Sequence, residues 1–313
     1  MTMPKYAQKF VDFVDNNWGK PRRPTRKPKT PLQEEAFTGS EFTLDEDPRH
    51  KIQFMAAVGM IGWMATTARP DLQQCHSKLS HYLKGPTVGA YQAIIRVSHY
   101  LKSTKWHGLG QKQGEVQCPP LKGTDAKLGF PSNQKGWHFY SDSSHLTFCD
   151  ASTTLVSQWG GLGMCGTAAV WFASKNSGIA KAHPRLPDGH VDSAVAASEV
   201  YAAGNTTREM LYMSYLSEDA GVPYPETAVL QVDNTATIAF AKNSVRSSKM
   251  RHIYVRQQWV EDLRNSDLIV TRHVPSLENP ADLFTKSLND VSFVYLRDKF
   301  MFDLSSYEDA MEV

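Results

Sequence analysis

The sequence lacks several features that would assign its class directly. Its 313 residues include four cysteines (Cys75, Cys118, Cys149 and Cys165), and none of them forms a CxxC pair or a spacing typical of a zinc site. We therefore expect free thiols in a reducing compartment. No apolar run approaches the ~20 residues that span a bilayer. The first nine residues are polar and basic, without the apolar core of a secretory signal. These absences predict an intracellular protein, cytoplasmic or nuclear, that is neither secreted nor membrane-bound.

The chain also has little net charge. It carries 34 Lys and Arg against 32 Asp and Glu, a formal charge of +2, which by itself does not indicate nucleic-acid binding. The basic residues are nevertheless concentrated in two places. Residues 20–31 interleave six of them with four prolines, which favours an extended segment, either a plain linker or an arm along phosphates. The second cluster is expected to contact phosphate and comprises Arg246, Lys249, Arg251 and Arg256.

The hydrophobic pattern changes near residue 105. Before it, apolar residues recur at helical spacing and predict helices at residues 4–18, 50–67, 71–83 and 88–102. After it, short apolar runs predict strands at residues 138–140, 146–149, 161–165, 168–173, 227–232 and 268–274. Helices are predicted between these strands at residues 193–217, 234–243 and 249–264. This order predicts an α/β layer with a mixed sheet, preceded by a small helical domain.

Four carboxylates of the second half lie in settings that suggest one site. Asp150 and Asp233 each end an apolar run, Glu199 lies in an Ala-rich helix, and Asp282 opens a short helix after Pro280. A carboxylate at the end of a buried strand points into the crevice where sheets bind ligands. Four such groups would repel one another unless cations neutralised them, which predicts bound Mg²⁺. Nucleases and polymerases hold two such ions about 3.5–4 Å apart.

Asp142 is the alternative to Asp150 as the first of these carboxylates. It follows residues 138–140, which are predicted as the edge strand preceding the one that ends at Asp150. For that reason Asp150 is preferred.

Six segments of the second half match motifs that occur together in one family. Residues 146–151 (LTFCDA) resemble a first-strand box YSDA, residues 170–175 (VWFASK) a third strand ISWSSK, and residues 198–202 (SEVYA) a helix signature STEAEY. The other three are residues 230–239 (LQVDNTATIA), 249–253 (KMRHI) and 273–286, similar to LYCDNQSAIAL, TKHI and HVPT…LADIFTK. With these segments in this order, the chain resembles the ribonuclease H region of Pol polyproteins from copia-type LTR retrotransposons.

The resemblance extends upstream. Residues 56–71 and 91–102 resemble the thumb and connection helices between polymerase palm and ribonuclease H, and residues 29–32 resemble the end of the palm. No Tyr-x-Asp-Asp polymerase box is found, so the resemblance implies the C-terminal part of a Pol polyprotein without its polymerase site. The implied domains are the end of the palm with a Pro/basic linker (1–49), a helical thumb/connection domain (50–110), a linker loop (111–134), a ribonuclease H-like domain (135–302) and a tail (303–313).

The resemblance also implies a function. The family's enzyme is an endonuclease that hydrolyses the RNA strand of RNA–DNA hybrids by two-metal-ion catalysis. Two Mg²⁺ ions, for which Mn²⁺ could substitute, would be held by Asp150, Glu199, Asp233 and Asp282. The implied partners are the hybrid and the polymerase part of the same polyprotein, within a virus-like particle. The alternative is a catalytically inactive, ribonuclease H-like nucleic-acid-binding protein or structural remnant of a transposon.

Three polar residues near the carboxylates are accessory candidates. The amides of Asn234 and Asn279 could contact the 2′-hydroxyl that distinguishes RNA from DNA. Equally, each could be a turn or helix cap. His273 could assist proton transfer or product release, although a single histidine at a strand end is more often structural.

Overall fold

The computed structural model describes residues 1–18, 27–33, 48–110, 137–149, 155–181, 195–235, 237–238 and 254–307. The chain divides into two compact units. The first comprises residues 1–110, 149–154 and 286–313, and the second comprises residues 111–148 and 155–285. In the described part of the chain, no helix is long and apolar enough to cross a membrane.

Helices dominate the first unit. They are α1 (Pro4–Trp18), α2 (Pro48–Thr67), α3 (Gln73–Ser80) and α4 (Val88–Thr104). All four were predicted, and the hydrophobic spacing is clear in α1, which buries Phe10, Val11 and Val14 on one side. The side chain of Thr87 caps α4 by accepting a hydrogen bond from the amide of Ala90. The predicted break after α2 is confirmed at a 3₁₀ turn, Pro70–Leu72.

A buried ion pair joins the turn after α2 to the end of α4. Arg69 and Asp71 are 1% and 2% exposed, and their closest side-chain nitrogen and oxygen lie 2.7 Å apart. The hydroxyl of Tyr100 donates to the same Asp71 oxygen over 2.7 Å, and Arg69 donates to the carbonyl of Thr104 over 2.9 Å. Burial penalises the charge of Asp71, but the adjacent guanidinium outweighs that penalty and holds the pKa of Asp71 below its ordinary value.

The end of the chain belongs to this first unit. Strand β7 (Met301–Asp303) pairs antiparallel with β1 (His107–Leu109). Helix α7 (Asp290–Arg297) packs Phe293 edge-on against Tyr100, with ring centroids 6.2 Å apart. The predicted boundaries, a domain at 135–302 and a tail from 303, differ from this grouping at the end of the chain. Residues 286–303 lie with the helical unit because β7 finds its partner strand there.

The second unit is built on a five-stranded mixed sheet. Its strands are β2 (Trp137–Cys149), β3 (Leu155–Cys165), β4 (Ala168–Lys181), β5 (Ala228–Val232) and β6 (Ile269–His273), in the order β4-β3-β2-β5-β6. Strands β3 and β4 form an antiparallel hairpin, whereas β5 runs parallel to both β2 and β6. The fold class predicted from the sequence, a mixed sheet flanked by helices and preceded by a helical domain, is confirmed.

Two predicted strands are in fact one. The runs at residues 138–140 and 146–149 are parts of a single strand, β2, which lies in the middle of the sheet. Residues 138–140 were predicted as an edge strand, and this prediction is wrong. A local run of apolar residues shows that a segment is extended, but not which neighbours it pairs with.

Two helices pack against the sheet. They are α5 (Val195–Asp219) and α6 (Tyr254–Asn265). Their apolar faces meet the strands in a core that includes Phe139, Ala203, Leu230 and Val260. Residues 235, 237 and 238 are helical and residue 234 precedes them. Residues 236 and 239–243 of the predicted helix 234–243, and residues 249–253 of the predicted helix 249–264, lie outside the described residues.

Helix α5 approaches the β3–β4 hairpin closely at Gly161. A Cβ atom at this position would lie 2.5 Å from the Trp171 ring and 2.9 Å from the hydroxyl oxygen of Thr206 on α5. Both distances are shorter than van der Waals contact, so the hairpin and the helix can adopt this spacing because residue 161 has no side chain.

We predict that Gly161→Ala lowers the free energy of unfolding of the second unit by about 1–3 kcal/mol, because the added methyl overpacks this contact. The matched control is Gly204→Ala in α5, where the nearest atom to a new Cβ is 3.6 Å away. That change should raise stability by up to about 1 kcal/mol, since Ala favours a helix interior over Gly. Urea unfolding of both variants checks this, and equal effects of the two substitutions would contradict it.

Candidate metal centre

Three carboxylates from separate parts of the chain meet where strand β5 ends beside β2. Asp142, Asp233 and Asp282 each offer a carboxylate oxygen, and these oxygens lie within 4.8 Å of one another. Asp142 and Asp282 are buried, at 1% and 7% exposure, while Asp233 is partly exposed. Carboxylates this close together repel one another, so a buried group of them requires either protons or a cation to offset the negative charge.

Parallel pairing explains why the first two meet. Strands β2 and β5 align Ser141 with Val232. The next residue of each strand is Asp142 and Asp233, and neighbouring strands lie about 4.8 Å apart. Asp233 directly follows the carboxyl end of β5, where α/β proteins bind ligands, and Asp142 lies beside it within β2, which continues to Cys149.

The third carboxylate belongs to a stripe of four polar residues spaced three apart. After β6, two short 3₁₀ helices follow one another, Ser276–Glu278 and Pro280–Phe284. The backbone amides of Asn279, Asp282 and Thr285 each donate to the carbonyl three residues earlier, in every case over 3.2 Å. Asn279, between the two helices, has an extended backbone (φ −80°, ψ 105°), yet the side chains of Ser276, Asn279, Asp282 and Thr285 all face β2 and the end of β5. We call these four residues the 3₁₀ stripe.

Each of the other three members of the 3₁₀ stripe forms a hydrogen bond to a residue of β2 or to Asp233, which follows β5. The hydroxyl of Ser276 donates to Asp233 Oδ2 over 2.9 Å, and the hydroxyl of Thr285 donates to Asp142 Oδ2. The amide of Asn279 donates to the carbonyl of Ser141 over 3.1 Å. The stripe therefore places Asp282 in the site, and its hydrogen bonds also position Asp142 and Asp233.

Asp142 takes the place in this group that was predicted for Asp150. Asp150 itself lies outside the described residues. Its predecessor Cys149 ends β2 seven residues beyond Asp142, or about 23 Å along an extended strand. The reason for preferring Asp150 was an edge strand at residues 138–140, and those residues lie in the central strand instead.

Two signals in the sequence pointed to this arrangement. Residues 140–143 read Tyr-Ser-Asp-Ser, a closer match to the family's YSDA box than residues 146–151. The stripe appears as a polar residue at every third position from Ser276 to Thr285. A search of the sequence for the α-helical period of 3.6 residues and the strand period of 2 does not detect a pattern that repeats every three residues.

Glu199 is placed at the start of α5 and is 5% exposed. It is not among the three carboxylates whose oxygens lie within 4.8 Å of one another. Its role as a metal ligand stays a prediction.

The accessory residues differ in what they contact. Asn279 is fully buried and caps the helix Pro280–Phe284, which was the alternative left open for it; its amide is bonded at both ends within the protein. Asn234 accepts a hydrogen bond from the amide of Thr237 over 3.3 Å, as a cap does. His273 is exposed at the end of β6, and its predicted part in proton transfer is untested.

Of the predicted phosphate-binding cluster, one member is described. Arg256 lies on α6 with its guanidinium 4.0 Å from the centroid of the Tyr201 ring. It also donates to Asn205 Oδ1 over 2.8 Å, so its side chain is held against α5. Arg246, Lys249 and Arg251 lie outside the described residues, and the cluster stays a prediction.

Comparison with known proteins identifies relatives that match most of the chain. The retrovirus-related Pol polyprotein of transposon RE2 from Arabidopsis thaliana is 25% identical over 242 residues, 77% of this chain and 14% of the relative. That of transposon RE1 is 24% identical over 273 residues, 87% of this chain and 16% of the relative. The homologues of this chain are Pol polyproteins of plant transposons. The chain spans about one seventh of their length, and no protein-family model matches it.

Solved structures overlap the chain only weakly. The N-terminal ribonuclease H domain of a Mycobacterium tuberculosis protein is 11% identical, covers 52% of this chain and 96% of its own, and gives a TM-score of 0.32. Ribonuclease H1 from Halobacterium salinarum is 15% identical, covers 46% and 89%, and gives a TM-score of 0.30. Overlap at this level carries no argument about the function of this chain.

We predict that Asp142→Asn weakens Mn²⁺ binding by the full chain roughly tenfold or more, because affinity for hard cations follows the charge of the ligand set. Asp150→Asn is the matched control and should leave the affinity unchanged. Isothermal titration calorimetry with Mn²⁺ measures both. If Asp150→Asn weakened Mn²⁺ binding and Asp142→Asn did not, Asp150 rather than Asp142 would be the ligand.

Proposed function

We propose that the second unit is a divalent-metal-dependent ribonuclease that hydrolyses the RNA strand of RNA–DNA hybrids. The observation that carries this proposal is the group of Asp142, Asp233 and Asp282 beside the carboxyl end of β5. The homology to Pol polyproteins of transposons supports it, and so does the resemblance of the sequence motifs to ribonuclease H of copia-type elements. The proposed partners are the hybrid and the polymerase part of a Pol polyprotein.

The donor set fits Mg²⁺ or Mn²⁺. Three carboxylates within 4.8 Å of one another supply the hard oxygen ligands that these ions prefer. Glu199 is proposed as the fourth ligand. When bound, a pair of such ions would activate a water as nucleophile and stabilise the leaving oxygen.

The protein's own contribution is to hold these carboxylates in place. Ser276 and Thr285 each donate a hydroxyl hydrogen bond to one oxygen of a carboxylate. These bonds restrict the rotation of Asp233 and Asp142, so less conformational entropy is lost when a cation binds. Phosphoryl chemistry depends on such positioning and charge neutralisation more than on acid–base side chains.

Binding of the hybrid is proposed to be electrostatic and independent of sequence. The basic residues of the predicted cluster would contact phosphates, which releases counterions and makes affinity fall steeply with salt. Discrimination of RNA from DNA would come from 2′-hydroxyl contacts across the shallow minor groove. The side chain of Asn279 is buried and bonded within the protein, so it is not available for a 2′-hydroxyl contact. Among the described residues, Asn234 is the remaining candidate for that contact.

Asp233→Asn is predicted to reduce Mg²⁺-dependent cleavage of a labelled RNA–DNA hybrid by on the order of 10³-fold. The substitution removes a ligand charge and keeps the shape of the side chain. Binding of the hybrid should be equal or tighter, because a carboxylate that repels phosphate is lost. Cleavage assays and fluorescence anisotropy measure the two effects, with Asp219→Asn at the exposed end of α5 as control.

Cleavage by Asp233→Asn at the rate of the unaltered chain would contradict the proposal. The alternative function, hybrid binding without hydrolysis, would be supported if the unaltered chain bound the hybrid in Mg²⁺ or Mn²⁺ and left it intact.

A further inference from the structure

The 3₁₀ stripe links the carboxylates to one another as well as supplying one of them. We propose that Asn279 and Thr285 are positioning residues that set the separation of Asp142 and Asp282, and thereby the affinity of the site for a divalent cation. This inference rests on the proposed function, since it assumes that the carboxylates bind metal.

The first link is the side chain of Asn279. Its Nδ2 donates to the carbonyl of Ser141 over 3.1 Å, and its Oδ1 accepts from the amide of Ala281 over 3.1 Å. Ser141 and Ala281 are the residues directly before Asp142 and Asp282. One fully buried amide therefore ties together the backbone positions from which the two carboxylates project. An amide has the donor and the acceptor that this link requires.

The second link is the hydroxyl of Thr285. It donates to Asp142 Oδ2 and also lies 3.3 Å from the carbonyl of Asp282. Its own amide donates to that same carbonyl over 3.2 Å. Thr285 is 3% exposed, so water does not compete freely for these bonds. The two links lie at the start and the end of the helix Pro280–Phe284 that bears Asp282.

The body of that helix is fixed to the β3–β4 hairpin. The hydroxyl of Ser174 donates to the carbonyl of Phe284 over 2.6 Å, and Gln158 donates to that hydroxyl over 2.5 Å. At Gly160 a Cβ atom would lie 2.7 Å from the Cβ of Phe284, so strand and helix are in close contact there. The helix is thus a fixed support, and Asn279 and Thr285 connect it to the strand of Asp142.

The test is the Mn²⁺ affinity of the full chain, measured by calorimetry without substrate. Thr285→Val keeps the shape of the side chain and removes the hydroxyl, whereas Thr285→Ser restores a hydroxyl. We expect Thr285→Val to bind Mn²⁺ about tenfold more weakly, as is usual when a group that orients a metal ligand is lost. Thr285→Ser should return to within about threefold of the original affinity.

Asn279→Ser separates the two roles of the amide. Serine at this position still caps the helix by accepting from Ala281, but it is too short to reach the carbonyl of Ser141. We expect about tenfold weaker Mn²⁺ binding with an unchanged circular dichroism spectrum. Asn289→Ala is the control for a lost cap, because Asn289 caps α7 in the other unit. It should lower the melting temperature and leave Mn²⁺ affinity unchanged.

Original Mn²⁺ affinity in folded Thr285→Val and Asn279→Ser would overturn the inference while leaving the proposed function standing. An unaltered chain that binds no Mn²⁺ would overturn both. An unaltered chain that binds Mn²⁺ and never cleaves a hybrid would overturn the proposed function alone. If Asn279→Ser fails to fold, the Thr285→Val and Thr285→Ser pair decides, because valine matches threonine in shape.

Discussion

The parallel register of β2 with β5 is the constraint on which the candidate site depends. It aligns Ser141 with Val232, so the next residues, Asp142 within β2 and Asp233 after β5, place their carboxylates side by side. Moving either strand by one residue would turn its aspartate to the other face of the sheet. The hydrophobic core opposes such a slip, because Phe139, Leu230 and Val232 are all buried between the sheet and the helices α5 and α6. Core packing and site geometry are therefore set by the same register.

The segment after β6 completes the site through a helix type that proteins use in short pieces. An α-helix would place residues 276, 279, 282 and 285 along a line that drifts around its axis, since it has 3.6 residues per turn. The two 3₁₀ helices have three, and with Asn279 extended between them all four side chains face β2 and the end of β5. Pro275 and Pro280 favour this local structure, because proline supports the first turn of a helix and disfavours its continuation upstream. The less favourable hydrogen-bond geometry of the 3₁₀ form is offset by the side-chain bonds that it makes possible.

Much of the fold followed from the sequence, and the exceptions have physical causes. The spacing of apolar residues predicted α1 at residues 4–18, as observed, and it predicted β5 and β6 to within a residue or two. Asp233 and Asp282 were predicted as site residues because local patterns show where a strand ends or a helix begins. Asp142 was ranked below Asp150 because strand order is a property of the whole sheet. The grouping of residues 286–303 with the first unit depends on β1, nearly 200 positions away along the chain. A local sequence pattern contains no information about which strand pairs with which over that many residues.

The central claim is that Asp142, Asp233 and Asp282 together bind divalent cations. The most direct measurement is anomalous X-ray diffraction from crystals of the full chain soaked with Mn²⁺. The account predicts anomalous density within about 2.0–2.6 Å of oxygens from at least two of these three aspartates. Density at another cluster of carboxylates, or none at this one in crystals of a chain that binds Mn²⁺ in solution, would contradict it.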